Sequence, residues 1–337
     1  MRIWLPTLRS GTGADIFSIR LADSLSKAGL EPILTWHHRA YEFLPEALSF
    51  IRRPDNIDLV HANVGYAKAF MATGLPIVVT VHHLVHDPYY FEYTTKAQHF
   101  YHRYHLKWRE AKAASQASKV IAVSNYVAGS VKSVFGRDDI GVILNWVNTD
   151  RYQPGNHYAF STERPFRLLW VGNHSLRKGA DLIKPLAELL GPKFEIRCTG
   201  GLRDRNVLDN SATVKLLGRL SEDELIREYQ HCDAVLSLSR YEGFGYTALE
   251  GMACGKPVIG FACPGITEVV KNDETGILVE TDNLPALVSA CRNLSRKPDL
   301  LNFFSIKSRE HVEKNYLEST QVKKYIDIYK AVLASAK

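Results

Sequence analysis

The sequence predicts an α/β protein built from two Rossmann-like domains that face each other across a cleft. Three observations indicate this fold class. Short apolar runs alternate with helical patterns in both halves, as in doubly wound parallel sheets. A polar stretch at 148–165 carries proline and glycine, has no periodicity and interrupts that alternation. The length of 337 residues is suited to two domains rather than one.

The first predicted domain, 1–150, opens with a strand at Ile3–Leu5, a Ser-Gly-Thr-Gly turn at 10–13 and a helix at 14–28. Its other predicted strands are 31–35, 57–61, 76–81, 119–123 and 140–144.

After a linker at 151–165, the second predicted domain covers 166–318, and the final segment 319–337 carries the last helix. Ser221 with Glu224 three residues later forms a capping box, which predicts a helix start. The strands predicted in this domain are 166–172, 194–199 (ending in Gly200-Gly201), 213–217, 234–239 and 257–261, and the other helices are 179–190, 284–295 and 319–335.

Composition favours an ordinary globular protein of the cytoplasm. Hydrophobic residues make up 45% and charged residues 23%, and the formal charge of +6 does not demand nucleic acid as a partner. The five cysteines are odd in number and form no Cys-x-x-Cys pair, so we expect reduced thiols rather than disulfides or a zinc knuckle. The N-terminus does not read as a signal peptide, and no apolar run approaches the roughly 20 residues that span a bilayer.

The most informative segment is 241–260, Tyr-Glu-Gly-Phe-Gly-Tyr-Thr-Ala-Leu-Glu-Gly-Met-Ala-Cys-Gly-Lys-Pro-Val-Ile-Gly. Two carboxylates, Glu242 and Glu250, flank a glycine-rich turn that leads into a helix predicted to begin near Tyr246. Amides at a helix start lack intrahelical partners and can bind sugar hydroxyls or phosphate oxygens. The structural alternative is that Glu242 caps the turn and Glu250 favours the helix dipole. Both carboxylates at this spacing favour a ligand with hydroxyls and phosphates, such as a nucleotide sugar.

Two other turns are predicted to meet phosphate. Gly11 and Gly13 follow the first strand, where the backbone can approach a phosphate at a helix N-terminus; the alternative is turn geometry alone. Arg177 and Lys178 stand between a predicted strand and a predicted helix. Cations at a helix N-terminus oppose the helix dipole, and a bound diphosphate would relieve that conflict. The alternative is a pair of solvated surface cations.

A histidine cluster follows the strand predicted at 76–81. The spacing of His82, His83 and His86 invites a zinc interpretation, but no carboxylate or cysteine completes an obvious ligand set, and Pro88 breaks the regularity. The favoured interpretation is a strand-end histidine that hydrogen-bonds a sugar hydroxyl or a phosphate, and no metal is predicted.

The segment 96–112 interleaves aromatic residues with cations. Such a helix can rest on anionic lipid headgroups, with its aromatic side toward the acyl chains. The same pattern arises when a helix packs its aromatic residues on its own domain and exposes its cations to water. The first alternative predicts peripheral association with the cytoplasmic face of the inner membrane.

Two other nucleotide-binding motifs do not fit. The run Cys254-Gly255-Lys256-Pro257 lacks the frame of a P-loop. The first glycine turn is not Gly-x-Gly-x-x-Gly, because position 16 is Ile, which argues against a dinucleotide-dependent oxidoreductase.

Taken together, these motifs resemble the retaining glycosyltransferases of family 4 (group 1), which have the GT-B fold, along essentially the whole chain. The Glu-x7-Glu signature of that family is matched by Glu242 and Glu250 with the residues that follow them. The family's Val-Ile-Pro-Asn-Gly-Val-Asp is similar to 142–148, and the segments 263–270 and 275–279 also fit.

The resemblance implies an acceptor-binding first domain, a donor-binding second domain and a final helix that crosses back to the first. It implies that Lys178 holds the donor diphosphate, that Glu250 binds the ribose and that Glu242 binds the transferred sugar. Two positions depart from the family pattern: His83 replaces an aspartate and Asn173 replaces an arginine, for which Arg177 would substitute. The predicted catalytic set is His82, Lys178 and Glu242, and the predicted donor-binding set is Gly11, Gly13, Asn173, Arg177, Lys178, Glu242, Gly243, Phe244, Gly245, Tyr246 and Glu250.

The function implied is transfer of a hexose, with retention, from a UDP- or GDP-sugar to a glycan or lipid-linked saccharide in cell-surface polysaccharide or lipopolysaccharide biosynthesis. The implied mechanism is a front-face substitution in which the leaving diphosphate deprotonates the acceptor hydroxyl, with no cofactor or metal. The alternative function is a non-catalytic nucleotide-sugar-binding subunit that stabilises a partner glycosyltransferase, which the two departures would favour.

Overall fold

The computed structural model describes residues 1–155, 163–200 and 210–336. Residues 156–162 of the predicted linker and Gly201 at the end of a predicted strand lie outside this description. The chain divides into two compact units, one formed by Met1–Asn145 with Glu318–Lys337 and the other by Trp146–Leu317. Each unit contains a six-stranded sheet, which confirms the predicted fold class of two Rossmann-like domains.

The first unit is built on a parallel sheet with the order β2-β1-β3-β4-β5-β6. Buried apolar side chains on both sides of its central strands explain the continuous hydrophobic runs in the sequence. The strands are β1 (Arg2–Leu8), β2 (Glu31–His37), β3 (Leu59–Asn63), β4 (Ile77–Val81), β5 (Lys119–Ala122) and β6 (Ile140–Val142). The helices before the second unit are α1 (Gly13–Lys27), α2 (Val64–Ala67), α3 (Pro88–Phe91), α4 (Lys96–Tyr101), α5 (Lys107–Gln116) and α6 (Asn125–Phe135).

Shorter helical turns complete the first unit. Three 3₁₀ segments occupy Arg39–Glu42, Pro45–Phe50 and Lys68–Thr73, and one π-helical turn at His102–Leu106 joins α4 to α5. The predicted helix at 96–112 is therefore one helical run with a π turn inside it.

The second unit repeats the theme with the order β12-β11-β10-β7-β8-β9, again with every pair parallel. Its strands are β7 (Phe166–Trp170), β8 (Phe194–Thr199), β9 (Val214–Gly218), β10 (Ala234–Ser237), β11 (Val258–Phe261) and β12 (Gly276–Val279). Its helices are α7 (Ile183–Leu190), α8 (Glu222–His231), α9 (Tyr246–Ala253), α10 (Ile266–Val269), α11 (Leu284–Ser295) and α12 (Pro298–Asn315). One buried core links the sheet to α7 and α11.

Two helix predictions in this unit need correction. The helix predicted at 179–190 begins as 3₁₀ turns at Leu176–Lys178 and Ala180–Leu182, and α7 starts only at Ile183. The reason is Gly179, whose φ of +72° is left-handed and cannot continue a helix. Helix α12 is absent from the predicted elements, although it is 18 residues long.

The last helix, α13 (Glu318–Ser335), belongs to the first unit, which confirms that the chain returns to that domain. The Ser24 hydroxyl in α1 donates to Glu318 Oε1 at 2.9 Å. Tyr329 places its hydroxyl 2.6 Å from Nδ1 of His61, a buried residue of β3, and the other ring nitrogen of His61 lies 2.7 Å from the Thr80 hydroxyl in β4. The C-terminal helix is thus hydrogen-bonded into the centre of the first sheet.

Candidate active site

Both sheets have a point at which successive connections leave in opposite directions. In open parallel sheets ligands bind outside the carboxyl ends of the strands at this switch point. It falls between β1 and β3 in the first sheet and between β7 and β10 in the second. The loops that leave β7 and β10 contain 173–178 and 239–245, the segments in which the sequence predicts most of the donor-binding residues.

In the second unit these two loops meet through an ion-pair cluster. The Lys178 ammonium forms an ion pair with Glu242 Oε1, which also accepts a hydrogen bond of 2.7 Å from the Ser239 hydroxyl. Arg177 Nη1 lies 3.7 Å from Glu242 Oε2 and donates to the Tyr241 carbonyl at 2.8 Å. Arg177 and Lys178 are therefore not a pair of solvated surface cations, because both lie beside the Glu242 carboxylate.

Electrostatics fixes the ionisation state of this carboxylate. Burial by itself would raise the pKa of Glu242, but the charges of Lys178 and Arg177 outweigh desolvation and lower the pKa to about 2. Glu242 is consequently a carboxylate anion at neutral pH. It can accept hydrogen bonds from hydroxyl groups, and it has no proton to donate.

Arg240, which the sequence analysis did not single out, joins the two loops. Its guanidinium binds Asp181 through two hydrogen bonds of 2.7 and 2.8 Å and Asp282 through one of 2.7 Å, and these carboxylates raise its pKa. Its backbone amide donates to the Arg177 carbonyl at 2.9 Å. A bidentate arginine is rigid, so Arg240 fixes the spacing of the loops that carry Lys178 and Glu242.

Two glycines allow the backbones of the site to approach closely. A Cβ on Gly179 would lie 2.3 Å from the Leu238 carbonyl oxygen, and φ there is +72°. A Cβ on Gly265, with φ of +81°, would lie 2.5 Å from the Glu242 carbonyl oxygen and 2.9 Å from the Phe244 nitrogen. Gly265 belongs to the motif at 263–270, and its lack of a side chain lets this segment pack directly against the backbone of the glycine-rich turn.

The glycine-rich turn presents backbone donors at the start of α9. This helix begins at Tyr246, as predicted, and Gly245 before it is left-handed with φ of +105°. No hydrogen bond within the described residues uses the amides of Phe244 or Gly245. Glu250, in the second turn of α9, is buried, and its Oε2 accepts a hydrogen bond of 3.0 Å from the Tyr229 hydroxyl.

Asn173 takes part in local turn structure. Its side-chain oxygen accepts a hydrogen bond of 2.8 Å from the Ser175 hydroxyl, and its carbonyl accepts one of 2.8 Å from the Ser175 amide. The arginine expected at this position by family pattern is thus replaced by a turn-forming residue.

In the first unit, the turn that contains Gly11 is already bonded to a carboxylate. The Asp15 carboxylate accepts hydrogen bonds from the Gly11 amide at 2.8 Å and from the Ser10 amide at 3.3 Å. Asp15 is not among the predicted site residues, and its position in the first turn of α1 is the signal that could have pointed to it. A phosphate bound to these amides would have to displace Asp15 or share donors with it. Gly13 is the first residue of α1.

His82 follows β4 directly and is half-buried. Its ring packs edge-on against Phe17, with 4.6 Å between ring centroids. Desolvation, with smaller effects of His83 and His61, lowers the pKa of His82 to about 3. His82 is therefore neutral at physiological pH, and its chemistry is that of a hydrogen-bonding imidazole. A cavity of about 20 Å³, large enough for one water molecule, lies beside it.

The neighbouring histidines have structural contacts. His83 is exposed and stacks on Tyr90 with 5.9 Å between centroids, whereas His86 is buried with Nε2 2.9 Å from Glu110 Oε2. Within the described ranges no group of three or more His, Cys, Asp or Glu side chains is arranged to hold a metal ion. The five cysteines, including Cys254 and Cys263 near the glycine-rich turn, are buried thiols.

The helical run 96–116 exposes a stripe of aromatic residues. Phe100, Tyr104 and Trp108 are 61%, 61% and 56% exposed and recur at intervals of four residues. Arg103 and Lys107 are exposed cations, but Arg109 is half-buried and pairs with Glu46, so it is not a surface charge. None of the helices in the described part of the chain is long and apolar enough to cross a membrane.

Comparisons with known proteins identify the family to which this two-domain chain belongs. The family model described as "Glycosyltransferase Family 4" matches residues 17–151, and the one described as "Glycosyl transferases group 1" matches 159–315. Together they cover most of both units. The chain belongs to the group 1 glycosyltransferases of family 4 and has the GT-B fold.

Curated relatives are distant in sequence. An uncharacterized glycosyltransferase of Methanocaldococcus jannaschii is 28% identical over 68% of this chain and 63% of its own length. A D-inositol 3-phosphate glycosyltransferase of Rhodococcus jostii is 26% identical over 63% of this chain and 52% of its own length. The matches therefore span only about half to just under two thirds of these relatives.

Solved structures support the fold. Sucrose-phosphate synthase from Thermosynechococcus elongatus has a TM-score of 0.82 at 19% identity, covering 99% of this chain and all of the other. The Anabaena protein HepE, solved in complex with UDP-glucose, has a TM-score of 0.75 at 17% identity, covering 98% of this chain and all of the other.

Proposed function

We propose that this protein is a retaining glycosyltransferase that transfers a hexose from a UDP- or GDP-sugar to a glycan or lipid-linked saccharide, without a metal. The observation that carries the proposal is the cluster of Lys178, Arg177 and Glu242, which lies at the switch point of the second sheet. It combines cations for a diphosphate with an anionic acceptor for hydroxyls. Because the similar Anabaena protein was solved in complexes with UDP and UDP-glucose, UDP-sugars are the first donors to test.

We assign the donor contacts as follows. Lys178 and Arg177 bind the diphosphate, and the amides of Phe244 and Gly245 complete the site as donors at the start of α9. Glu242, which is an anion, accepts hydrogen bonds from hydroxyl groups of the transferred sugar. Glu250 accepts hydrogen bonds from the ribose hydroxyls, which replace the Tyr229 hydroxyl as its donor. Asn173, Gly243 and Tyr246 line the same turns, and Gly11 and Gly13 remain predicted phosphate contacts in the first unit.

The proposed mechanism is a front-face substitution. The bond between the sugar and the diphosphate breaks as the acceptor hydroxyl attacks from the same face, and the leaving diphosphate takes the proton of that hydroxyl. Negative charge grows on the diphosphate, so a preorganised cation stabilises the transition state more than the ground state. Lys178 supplies that charge, while His82, neutral at physiological pH, contributes a hydrogen bond to the sugar rather than a proton.

For the cellular setting we propose a peripheral enzyme on the cytoplasmic face of the inner membrane, acting in cell-surface polysaccharide or lipopolysaccharide synthesis. The exposed Phe100, Tyr104 and Trp108 support this placement, because aromatic side chains partition into the interfacial region of a bilayer. Sedimentation with vesicles containing anionic lipid should fall when Arg103 and Lys107 are both changed to Glu. Equal sedimentation of wild type and variant would remove the membrane part of the proposal.

The donor assignment is tested by titrating UDP-, GDP- and ADP-sugars into the purified protein and following heat release and sugar hydrolysis. Lys178→Ala should lower affinity and turnover by at least tenfold, because the diphosphate loses its closest cation. Lys184→Ala, the same change at an exposed lysine of α7, serves as the matched control. A wild-type protein that binds none of the donors, or full turnover in Lys178→Ala, would refute the proposal.

A further inference from the structure

A third loop of the second unit is tied to the two loops that carry Lys178 and Glu242. It is the connection 280–283, which leads from the end of β12 to the start of α11. Asp282 in this connection accepts a hydrogen bond of 2.7 Å from Nε of Arg240. The donor assignment uses no residue of the connection, so donor binding does not explain why this loop is linked to the site.

Arg240 holds the backbone on both sides of Lys178. Its guanidinium donates to the Leu176 carbonyl before Lys178 and binds the Asp181 carboxylate after it through hydrogen bonds of 2.7 and 2.8 Å. Its own amide donates to the Arg177 carbonyl at 2.9 Å. The side chain of Arg240 is only 8% exposed, and its contact with the carboxylate is bidentate. The stretch of chain that carries the lysine therefore has little freedom to move relative to Arg240.

A direct contact between Arg240 and the donor is the alternative, because an arginine near the diphosphate would replace the family arginine that is missing at Asn173. A guanidinium has five N–H donors, and four hydrogen bonds to protein oxygens already occupy that of Arg240. The carboxylates of Asp181 and Asp282 also balance its charge, so a phosphate would gain little attraction from it. Arg240 is therefore placed to act on the site through other residues.

The backbone of Asp282 is left-handed, with φ of +64°. This conformation favours glycine, although aspartate and asparagine adopt it more readily than most residues. Glycine and asparagine lack the negative charge that pairs with Arg240, so aspartate combines the required turn with an ion pair. The next residue, Asn283, caps α11 by accepting a hydrogen bond of 3.0 Å from the Ala286 amide. The carboxylate thus reaches Arg240 from a turn that is anchored to a helix start.

We propose that three residues hold the Lys178 ammonium in place beside the leaving diphosphate without touching the donor. This positioning triad consists of Asp181, Arg240 and Asp282. The inference rests on the proposed transferase function and deepens it by naming residues that act on the reaction only through Lys178. A displaced cation loses most of its effect where charge grows in the transition state. Loss of the triad should therefore lower kcat more than it raises KM.

Steady-state hydrolysis of UDP-glucose, GDP-mannose and ADP-glucose by the full-length protein provides the assay, and the donor hydrolysed fastest is used for the variants. Water takes the place of the acceptor in this reaction. Its oxygen bonds to the sugar as the bond between sugar and diphosphate breaks, and one of its protons goes to the diphosphate.

The first variant is Asp282→Asn, which is compatible with the left-handed turn and removes the charge that pairs with Arg240. We expect kcat to fall at least fivefold and KM to change less than twofold. Asp273→Asn is the matched control, because Asp273 is also left-handed, with φ of +60°, and its carboxylate accepts a hydrogen bond of 2.8 Å from Asn272 instead of pairing with an arginine. The control should keep kcat within twofold of the wild type.

A double-mutant cycle separates positioning from a general loosening of the fold. In a Lys178→Ala background, Asp282→Asn should lower kcat less than twofold, because the ammonium that the triad positions is already gone. Arg240→Lys keeps the charge but loses the bidentate fork, and it should show the same dependence on Lys178. Equal fold-losses of kcat in both backgrounds, or a rise in KM as large as the fall in kcat, would overturn the inference.

The same assay distinguishes failure of this inference from failure of the proposed function. If the wild type hydrolyses a donor and Asp282→Asn behaves like the Asp273→Asn control, only the positioning triad fails. If the wild type binds and hydrolyses none of the donors, the transferase proposal fails and the triad fails with it.

Discussion

Replacing Glu242 with Gln isolates the electrostatic term that organises the candidate donor site. In the folded protein the pKa of Glu242 falls from its ordinary value of 4.5 to about 2, and its side chain is only 12% exposed. A difference of about 2.5 pH units at roughly 1.4 kcal/mol per unit corresponds to about 3 kcal/mol of folding free energy. The amide removes this contribution and leaves Lys178 and Arg177 close together without a counterion.

The assay is urea unfolding followed by intrinsic fluorescence, with Glu280→Gln as the control at an exposed glutamate of the same unit. Because the folded pKa is depressed, the contribution is complete above pH 4.5 and disappears as the pH falls toward 2. We expect Glu242→Gln to lose about 3 kcal/mol at pH 7 and the control to lose less than about 0.5 kcal/mol. A loss at Glu242 no larger than that of the control would show that the ion-pair cluster does not hold the loops together.

Three further changes probe features outside that cluster. Gly179→Ala should cost more than about 2 kcal/mol in urea unfolding, because its Cβ would overlap the Leu238 carbonyl. Gly136→Ala, at a left-handed glycine with φ of +68° and open space, should cost about 1 kcal/mol, and equal losses would contradict the close approach. Tyr329→Phe should cost about 1–3 kcal/mol by leaving a nitrogen of His61 without its partner, and an unchanged midpoint would argue against that hydrogen bond. Burial lowers the pKa of His61 to about 3, so below pH 6.5 the unfolded state takes up a proton that the folded state refuses, and stability should fall by up to about 1.4 kcal/mol per pH unit. His61→Gln should lower that slope between pH 6.5 and 5 by up to about 1.4 kcal/mol per pH unit when unfolding free energies are compared, whereas the similarly lowered pKa of His82 keeps part of the slope. A slope equal to that of the wild type would place the titration elsewhere.

The sheets could be predicted from the sequence because their central strands are buried on both faces. Runs such as 77–81 and 258–261 are predominantly apolar and buried throughout, and turn residues separate them from helical patterns. Helix α12 lacked such a signal because its buried stripe is interrupted by a polar residue. Ser308 is fully buried there and donates to the Thr275 carbonyl at 3.0 Å.

The sequence places Lys178 and Glu242 in turns that follow predicted strands, where the structure also has them, but the ion pair between them could not be predicted. Lys178 and Glu242 are 64 residues apart, and no local pattern in one sequence reports a contact over that distance. Arg240 escaped notice for the same reason, since Asp181 and Asp282 reach it from separate loops. Asp15 was visible in sequence, but its competition with phosphate for the Gly11 amide depends on backbone geometry.

The return of α13 to the first unit has a consequence for the order of events during synthesis. The strands of the first sheet leave the ribosome early, but Tyr325 and Tyr329, which pack on His61, are made only after the whole of Trp146–Leu317. Domains usually fold as they emerge, from the N-terminus onward. Here the second unit can complete its core first, and the first unit can pack His61 against Tyr325 and Tyr329 only after α13 has been synthesised.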